Sequence, residues 1–308
     1  MKHIPVMMRE VLKYLPADPD GITLDMTGGG GGHSAAMLEK ISERGRLIVL
    51  DRDLDAVERL KDRFKGDSRV TIVHSNFSEF DLVLDELGIP SVTSVLADFG
   101  VSLYHLKVAE RGFSFRSEGP LDMRMNQNER LSASDVVNSF SREELSDIIR
   151  KYGEDSFAWN IAGAIVSARE TESINTTTRL AEIVASAIPR KAQKPGINPA
   201  TKTFQALRIY VNSELESIET MLGKLEDRVS EGGIAAFISF HSLEDRIVKD
   251  AFREFEKECV CPSEMPVCTC DKKRTFKQLT RKPLEPQKDE VEANPLSRSS
   301  KMRVAKRV

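Results

Sequence analysis

Five consecutive glycines, from Gly28 to Gly32, constrain the fold of this chain more than any other feature of its sequence. They follow a short apolar run that ends at Met26, and they precede a helical pattern that begins at His33. A strand, a glycine loop and a helix start in this order bring backbone N–H groups and the positive end of a helix dipole together without Cβ atoms. The sequence therefore predicts a loop that a nucleotide-like ligand approaches closely.

A second strand pattern ends at Asp51, at the spacing from the loop that is typical of nucleotide-binding folds. In such folds a carboxylate at the tip of the second strand accepts hydrogen bonds from ribose hydroxyls. Dinucleotide sites use G-x-G-x-x-G, whereas here His33 occupies the place of the third glycine. S-adenosylmethionine has no phosphate, and Asp25, the glycine loop and Asp51 suit that cofactor better. A nicotinamide-dependent dehydrogenase is the alternative.

Strand and helix patterns alternate along the first hundred residues, which is typical of a parallel sheet covered by helices. The strand patterns are 22–26, 46–50, 70–74, 92–97 and, much later, 234–240, with edge strands at 275–281 and 301–307. The helical patterns beside them are 33–41, 54–64, 79–87 and 243–255. This periodicity predicts a doubly wound α/β sheet.

The segment 98–233, between the fourth and fifth strand patterns, is far longer than an ordinary crossover. Ser141–Glu144 is a capping box, and apolar residues follow it at helical spacing up to Ile188. A further long helix is expected over Pro199–Leu225. The expected domains are 1–104 together with 199–308 and, between them, an inserted helical domain over 105–198.

The net charge of −3 is spread unevenly, because residues 271–308 contain twelve Lys and Arg against five Asp and Glu. A basic segment of this kind contacts RNA phosphates in some proteins and is simply a solvated surface in others. No apolar run approaches the roughly 18–20 residues of a membrane helix. The N-terminal residues show no signal-peptide core. We therefore expect a cytoplasmic protein without a membrane partner.

Two polar residues at strand ends are candidates for catalysis. Asp98 ends the fourth strand beside the expected topological switch point, where ligands bind in such sheets, although a turn or N-cap aspartate is an equal alternative. His241 ends the fifth strand, with Ser242 as the expected N-cap of the next helix and Asp245 as its capping-box partner. A lone histidine is more often structural than catalytic, so the pattern alone leaves its role open.

All four cysteines of the chain lie in one short segment as two C-x-C pairs, Cys259 with Cys261 and Cys268 with Cys270. In a cytosolic chain such clustering favours a metal or redox role over structural disulfides. However, C-x-C is not the usual C-x₂-C spacing of zinc sites. We therefore assign no metal ligand from the sequence and expect free thiols, with a structural zinc site as the alternative.

Eight strings of residues carry a resemblance that covers almost the whole chain. They are 3–7, 28–33, 50–53, 110–115, 119–125, 198–208, 239–246 and 294–299. Together they resemble the ribosomal RNA small subunit methyltransferase H family. The resemblance implies a class I (Rossmann-like) methyltransferase sheet with an inserted all-helical domain. It also implies S-adenosylmethionine as cofactor and N4 of a cytidine in the decoding centre of 16S ribosomal RNA as methyl acceptor. A non-catalytic RNA-binding assembly factor is a further alternative, opposed by the intact loop and Asp51.

The resemblance also implies a set of cofactor contacts: Gly31, Gly32, His33, Asp51, Phe77, Asp98 and His105. The family usually has glutamine at the position of His105, so this residue departs from the family pattern. It further implies that the inserted domain lies next to the RNA, within the small ribosomal subunit. The sequence leaves the oligomeric state open between monomer and homodimer.

A mechanism follows from this chemistry. The methyl group of the cofactor is already activated, so no metal is needed. The cytosine amino group is a poor nucleophile, and an acceptor that binds one of its hydrogens stabilises the positive charge that develops on nitrogen. We expect Asp98 either to orient that amine or to line the cofactor pocket, and His241 to receive the released proton.

Overall fold

The computed structural model describes residues 5–193, 195–261, 267 and 269–308. His3 and Ile4, where the first matched string begins, and Cys268 lie outside the described residues. The chain forms two compact units. The first consists of Met1–Gly100 with Leu215–Val308, and the second of Val101–Glu214.

One sheet organises the first unit. Its strands are β1 (Ile22–Asp25), β2 (Arg46–Asp51), β3 (Val70–His74), β4 (Val92–Asp98), β5 (Val229–Ser239), β6 (Phe276–Gln278) and β7 (Lys301–Arg307). Their order across the sheet is β3-β2-β1-β4-β5-β7-β6. The first five are parallel, whereas β7 runs antiparallel to both β5 and β6. The predicted doubly wound α/β sheet is therefore confirmed.

The helices of the described residues are distributed over both units. In chain order they are α1 (Met8–Tyr14), α2 (Gly32–Leu38), α3 (Leu54–Arg63), α4 (Phe80–Glu86), α5 (Leu103–Lys107), α6 (Ala133–Ser139), α7 (Arg142–Gly153), α8 (Ala158–Thr171), α9 (Thr177–Ala187), α10 (Thr201–Val211), α11 (Glu214–Arg228), α12 (Ser242–Glu256) and α13 (Lys288–Ala293). None of these helices has the length and apolar character needed to cross a membrane.

The core of the first unit is the sheet itself. Strand β2 is buried along Leu47–Leu50, with no side chain more than 1% exposed, as expected of a parallel strand covered on both faces. Helix α3 begins at Leu54 because the Asp53 carboxylate accepts a hydrogen bond from the N–H of Asp55 at 3.2 Å. Its next turns bury Leu60 against the sheet. These elements hold the carboxyl ends of the strands at one edge.

Strand β6 is shorter than the expected 275–281. The N–H groups of Leu279 and Thr280 both donate to the carbonyl oxygen of Val304, at 2.9 and 3.3 Å. Two successive donors on one acceptor interrupt the alternating ladder of an antiparallel pair, so the strand ends at Gln278.

Over the described residues 101–193 and 195–214 the regular secondary structure of the second unit is helical, apart from one isolated bridge between Pro120 and Thr176. Helix α7 begins at the predicted capping box, in which Ser141 and Glu144 each accept from the other's backbone N–H. Helix α10 belongs to this unit because it packs on α7. The unit thus runs beyond the expected insertion of 105–198, whose boundaries as domain limits stay a prediction.

The expected long helix over 199–225 is wrong, because the chain breaks between α10 and α11. The Asn212 amide donates to the carbonyl oxygen of Met123 and accepts from the N–H of Met125, both at 2.8 Å. Ser213 then adopts a left-handed φ of 46°, which a continuous helix does not allow. Long-range hydrogen bonds to a distant loop therefore override a favourable helical pattern.

Candidate active site

The glycine loop connects the end of β1 to the start of α2. Gly29 and Gly31 have φ angles of +53° and +72°, in the left-handed region that residues with a Cβ rarely adopt. At Gly28 an added Cβ would lie 2.5 Å from the Val49 side chain and 2.6 Å from that of Leu60. The backbone therefore requires glycine at these positions, and the run is more than a flexible turn.

Asp51, at the carboxyl end of β2, is fixed against this loop. Its Oδ2 accepts a hydrogen bond from the N–H of Gly29 at 2.7 Å, and its Oδ1 accepts from the N–H of Asp53 at 2.8 Å. Both bonds hold the carboxylate in one orientation beside the glycine backbone. The structure thus brings together the loop and the acidic residue that the sequence analysis connects with ribose binding.

His33 lies in the first turn of α2 with its imidazole buried. Nε2 is 2.8 Å from the carbonyl oxygen of Val6, and Nδ1 is 3.7 Å from Oδ2 of Asp98. The preceding Gly32 packs on Pro5, whose ring an added Cβ would meet at 2.3 Å. The N-terminal segment is therefore held over the start of α2, and the His33 ring lies between that segment and Asp98.

Asp98 ends β4 at the topological switch point, where the sheet order reverses between β1 and β4. Its N–H donates to Oγ1 of Thr27 at 2.7 Å, which connects the two strand ends. Among the described residues no donor forms a hydrogen bond with its buried Oδ1. Burial, followed by the negative charges of Asp25 and Glu244, raises the pKa of Asp98 well above its ordinary value. A buried acceptor without a donor among the described residues fits a ligand that offers a polar hydrogen.

Asp25, at the end of β1, adds a second buried carboxyl group. Its Oδ2 accepts from Oγ of Ser34 at 2.5 Å, and its Oδ1 accepts from the N–H of Thr27 at 3.2 Å. Burial raises the pKa of Asp25 to about 6, although both hydrogen bonds act to lower it. The charges of Asp25 and Glu244 both act on Asp98, and these three residues are called the carboxyl cluster. A cationic ligand would offset the repulsion among their ionised forms.

The segment after β5 differs from expectation, because His241 and not Ser242 is the N-cap of α12. Its Nδ1 accepts from the N–H of Glu244 at 3.4 Å, and Oε2 of Glu244 accepts from the N–H of Phe240 at 2.7 Å. Oε1 of Glu244 also lies 3.2 Å from Nε2 of His241. The expected cap by Ser242 and Asp245 is therefore wrong.

Asp245 has a different partner in the first unit. Its two carboxylate oxygens accept from Nε and Nη2 of Arg303 in β7, at 2.7 and 3.0 Å, and both side chains are largely buried. This bidentate pair connects α12 to the antiparallel edge of the sheet. A distant partner thus removed Asp245 from the capping role that local spacing favoured.

Sequence reasoning missed Glu244 as a site residue. Its side chain is fully buried between the backbone of Phe240 and the ring of His241, and its charge contributes to the raised pKa of Asp98. A glutamate at the third helical position after a polar strand end is the capping-box pattern. With His241 as the N-cap, the same pattern in the sequence predicts that Glu244 lies beside it.

Phe77 follows β3 in a short 3₁₀ turn. The side chain of Asn76 starts this turn by accepting from the N–H of Ser78 at 3.1 Å. The Phe77 ring lies 5.7 Å from that of Phe99, which follows β4 and lies 5.8 Å from Phe237 in the core. Phe77 therefore lies at the carboxyl edge of the sheet, supported by buried aromatic rings.

His105 belongs to the second unit, on α5. Its N–H donates to Oγ of Ser102 at 3.3 Å, and its ring stacks on Phe113 with centroids 4.8 Å apart. The imidazole is therefore a buried packing element of that unit. Its role as a cofactor contact stays a prediction.

A sequence model of the MraW methylase family matches residues 1–308. The chain belongs to the MraW methylase family. The family membership expected from the matched strings is thereby confirmed. A ribosomal RNA small subunit methyltransferase H of Caldicellulosiruptor bescii is 49% identical to it over 307 residues, covering 100% of this chain and 99% of that protein. The same-named protein of Halothermothrix orenii is 45% identical over 308 residues, with 100% and 99% coverage.

Solved structures are more distant from this MraW methylase. An rRNA methylase from Streptococcus thermophilus has a TM-score of 0.43 at 9% sequence identity, covering 100% of this chain and 99% of that chain. The predicted residues of the first unit end or follow strands, or lie in the glycine loop and the first turn of α2: Gly31, Gly32, His33, Asp51, Phe77, Asp98 and His241. The fold therefore brings these residues, which are far apart in the sequence, to one edge of the sheet.

Proposed function

We propose that this protein methylates N4 of one cytidine in the decoding centre of 16S ribosomal RNA. As a member of the MraW methylase family with relatives named ribosomal RNA small subunit methyltransferase H, it is an S-adenosylmethionine-dependent ribosomal RNA methyltransferase. The particular cytidine, the small ribosomal subunit as the substrate particle and a cytoplasmic location are parts of the proposal. Monomer and homodimer are both compatible with it.

The observation that carries the proposal is the buried Oδ1 of Asp98, which lacks a hydrogen-bond donor among the described residues. It lies at the switch point of the sheet, in a carboxyl cluster with Asp25 and Glu244. S-adenosylmethionine is a cation, so a carboxyl cluster suits it, and its ribose hydroxyls suit the fixed carboxylate of Asp51. The glycine loop leaves room for the ligand because no Cβ intrudes. The residues present therefore fit this cofactor.

When bound, S-adenosylmethionine supplies a methyl group activated by the sulfonium. The protein's task is to position a nitrogen whose lone pair is delocalised into the cytosine ring. Oδ1 of Asp98 is an acceptor that can bind an amino hydrogen, favour a pyramidal nitrogen and stabilise its developing positive charge. Asp98 takes this role or lines the cofactor pocket, and the two roles differ in their kinetic consequences.

His241 is the proposed proton acceptor. Because Nδ1 accepts from the N–H of Glu244, the neutral ring carries its hydrogen on Nε2, and the incoming proton binds Nδ1 in place of that hydrogen bond. The carboxylate of Glu244, 3.2 Å from Nε2, stabilises the imidazolium that forms. The target base must also leave its stack, which costs a few kcal/mol and is easiest for a nucleotide that is already unpaired. The second unit is proposed to hold the RNA during this step, with His105 completing the cofactor contacts.

The proposal is tested with the full-length protein, labelled S-adenosylmethionine and ribosomal RNA from a strain that lacks the gene. Naked 16S RNA and small subunits are compared as substrates, and mass mapping locates the label. We expect one cytidine to gain one methyl group on N4. Calorimetric binding of a nicotinamide dinucleotide without any heat for S-adenosylmethionine would refute the proposal. RNA binding without methyl transfer would support the assembly-factor alternative instead.

A further inference from the structure

The described part of the loop between α12 and β6 contains no buried side chain. Its ends are held together where the N–H of Thr275 donates to the carbonyl oxygen of Phe255 at 2.9 Å. Within the described residues 257–261, 267 and 269–274 no side chain is buried. The apolar side chains there point to solvent, with Val260 53% and Val267 69% exposed. In small proteins without a sufficient apolar core, disulfides or metal ions supply the missing order, and the same can hold for a loop of this kind.

Three cysteine sulfurs of this loop lie together. The Sγ atoms of Cys259, Cys261 and Cys270 are all within 4.8 Å of one another, and those of Cys259 and Cys270 are 3.7 Å apart. A disulfide requires about 2.05 Å. In a tetrahedral zinc site with bonds of about 2.3 Å, neighbouring sulfurs lie about 3.8 Å apart. The distance between the sulfurs of Cys259 and Cys270 therefore fits two ligands of one cation, and Cys261 lies close enough to join them.

Each of these sulfurs also receives a backbone N–H. Cys259 Sγ accepts from the N–H of Cys261 at 3.3 Å, and Cys261 Sγ accepts from that of Thr269 at 3.4 Å. Cys270 Sγ accepts from the N–H of Val260, also at 3.4 Å. Hydrogen bonds of this type stabilise a thiolate more than a neutral thiol, and thiolates are the form that binds metals. The loop backbone is thus folded around the three sulfurs.

We propose that Cys259, Cys261 and Cys270 bind a structural zinc ion that closes this loop. Thiolate ligands select soft or borderline cations over Mg²⁺ or Ca²⁺. Cys268 lies outside the described residues, and the proposal rests on the other three cysteines. None of the three belongs to the residues assigned to cofactor binding or methyl transfer. Zinc binding thus contributes order to the loop and no step of the reaction.

The test measures metal content of the full-length protein after purification under reducing conditions and reconstitution with zinc. We expect about one zinc ion per chain and, after exchange with cobalt(II), the absorption bands of tetrahedral cobalt–thiolate coordination. Cys270→Ser should weaken zinc affinity by about tenfold or more in competition with a chromophoric chelator. Val260→Ala, which changes an exposed side chain between two proposed ligands, should retain the ion.

Folding of each variant is monitored separately by the heat of S-adenosylmethionine binding and by hydrogen exchange. Removal of zinc should speed exchange over 257–275 and leave the strands of the sheet protected. A reconstituted wild-type protein without bound zinc would overturn the proposal. So would a Cys270→Ser protein that binds zinc as tightly as wild type. Either result would leave the methyltransferase proposal standing, because that function uses none of these cysteines.

Discussion

Nδ1 of His33 lies 3.7 Å from Oδ2 of Asp98, at the point where α2 begins and β4 ends. Because Nε2 faces the carbonyl oxygen of Val6 at 2.8 Å, Nε2 must carry a hydrogen. Nδ1 therefore faces a carboxyl group whose pKa is raised by burial and by the charges of Asp25 and Glu244. The N-terminal segment and the proposed amine-binding acid are thus connected through one imidazole.

Replacing His33 should therefore loosen the cofactor site. In His33→Ala the bond to Val6 is lost and Asp98 loses the ring beside it, so we expect S-adenosylmethionine to bind about tenfold more weakly, or by about 1.4 kcal/mol. Calorimetry measures the dissociation constant directly. Glu58→Ala, which changes an exposed side chain of α3, serves as the control. Equal affinity of the His33 variant and wild type for S-adenosylmethionine would show that the contacts of His33 with Val6 and Asp98 do not support the cofactor site.

Asp51→Asn tests the ribose contact. The substitution removes a charged acceptor that is already fixed by Gly29, and a hydrogen bond to a charged group contributes about 1.5–3 kcal/mol. We expect the dissociation constant for S-adenosylmethionine to rise by roughly 10- to 100-fold. Asp62→Asn, on an exposed position of α3, should leave it unchanged. An unaltered constant in Asp51→Asn would remove this residue from the proposed contacts.

Asp98→Ala separates the two roles proposed for that residue. If Asp98 binds the amino group, kcat should fall by about 100-fold or more at saturating cofactor and RNA, as when one preorganised charge-stabilising group is removed. If it only lines the pocket, KM for the cofactor rises while kcat is retained. Single-turnover rates with saturating substrates distinguish these results. Full turnover at saturation would eliminate the catalytic role.

Asp25 should make stability depend on pH in a defined direction. Its pKa is about 6 in the folded protein against an ordinary 3.8, so between these values the folded state holds a proton that the unfolded state has released. Stability therefore falls as pH rises through this window, by about 3 kcal/mol in total. Asp25→Asn should remove this contribution. Urea unfolding of both proteins from pH 4 to pH 7 measures the change, and a constant difference between them would disprove it.

The buried pair of Asp245 and Arg303 should contribute strongly to the stability of the first unit. Asp245→Ala leaves a buried guanidinium without its charge partner, which we expect to lower the free energy of unfolding by about 3–5 kcal/mol. Asp250→Ala, at an exposed position of the same helix, should cost less than about 1 kcal/mol. Similar losses in the free energy of unfolding for both variants in denaturant titrations would show that the pair of Asp245 and Arg303 contributes no more than an exposed charge.

Much of the fold could be predicted from local patterns. Apolar runs such as Leu47–Leu50 are buried on both faces, which makes strands recognisable without knowledge of their neighbours. The capping box at Ser141 is equally local, since its partners are three residues apart. The same holds for the glycine loop, whose backbone conformation excludes other residues. In the candidate site, Asp51 and Asp98 could be identified from the sequence, because the ends of the strands of a parallel sheet meet at one edge.

Other features depended on residues far apart in the chain. Asn212 interrupts a helical pattern because its amide binds the backbone at Met123. Asp245 binds Arg303 and does not take part in the expected capping of α12. Such competition between a local and a distant partner is invisible in spacing, because both are compatible with the same residue types.

The sequence by itself therefore determined the sheet, the glycine loop and the family. The sheet and the loop follow from patterns of neighbouring residues, and the family follows from long matched strings. Only the tertiary structure decided the chemical state of the site. It buried Glu244 beside His241 and grouped three carboxyl groups, and burial and charge then shifted the pKa of Asp98. It also brought the sulfurs of Cys259 and Cys270 to 3.7 Å. Electrostatic energies depend on distance and desolvation in space, and these exist only once the chain has folded.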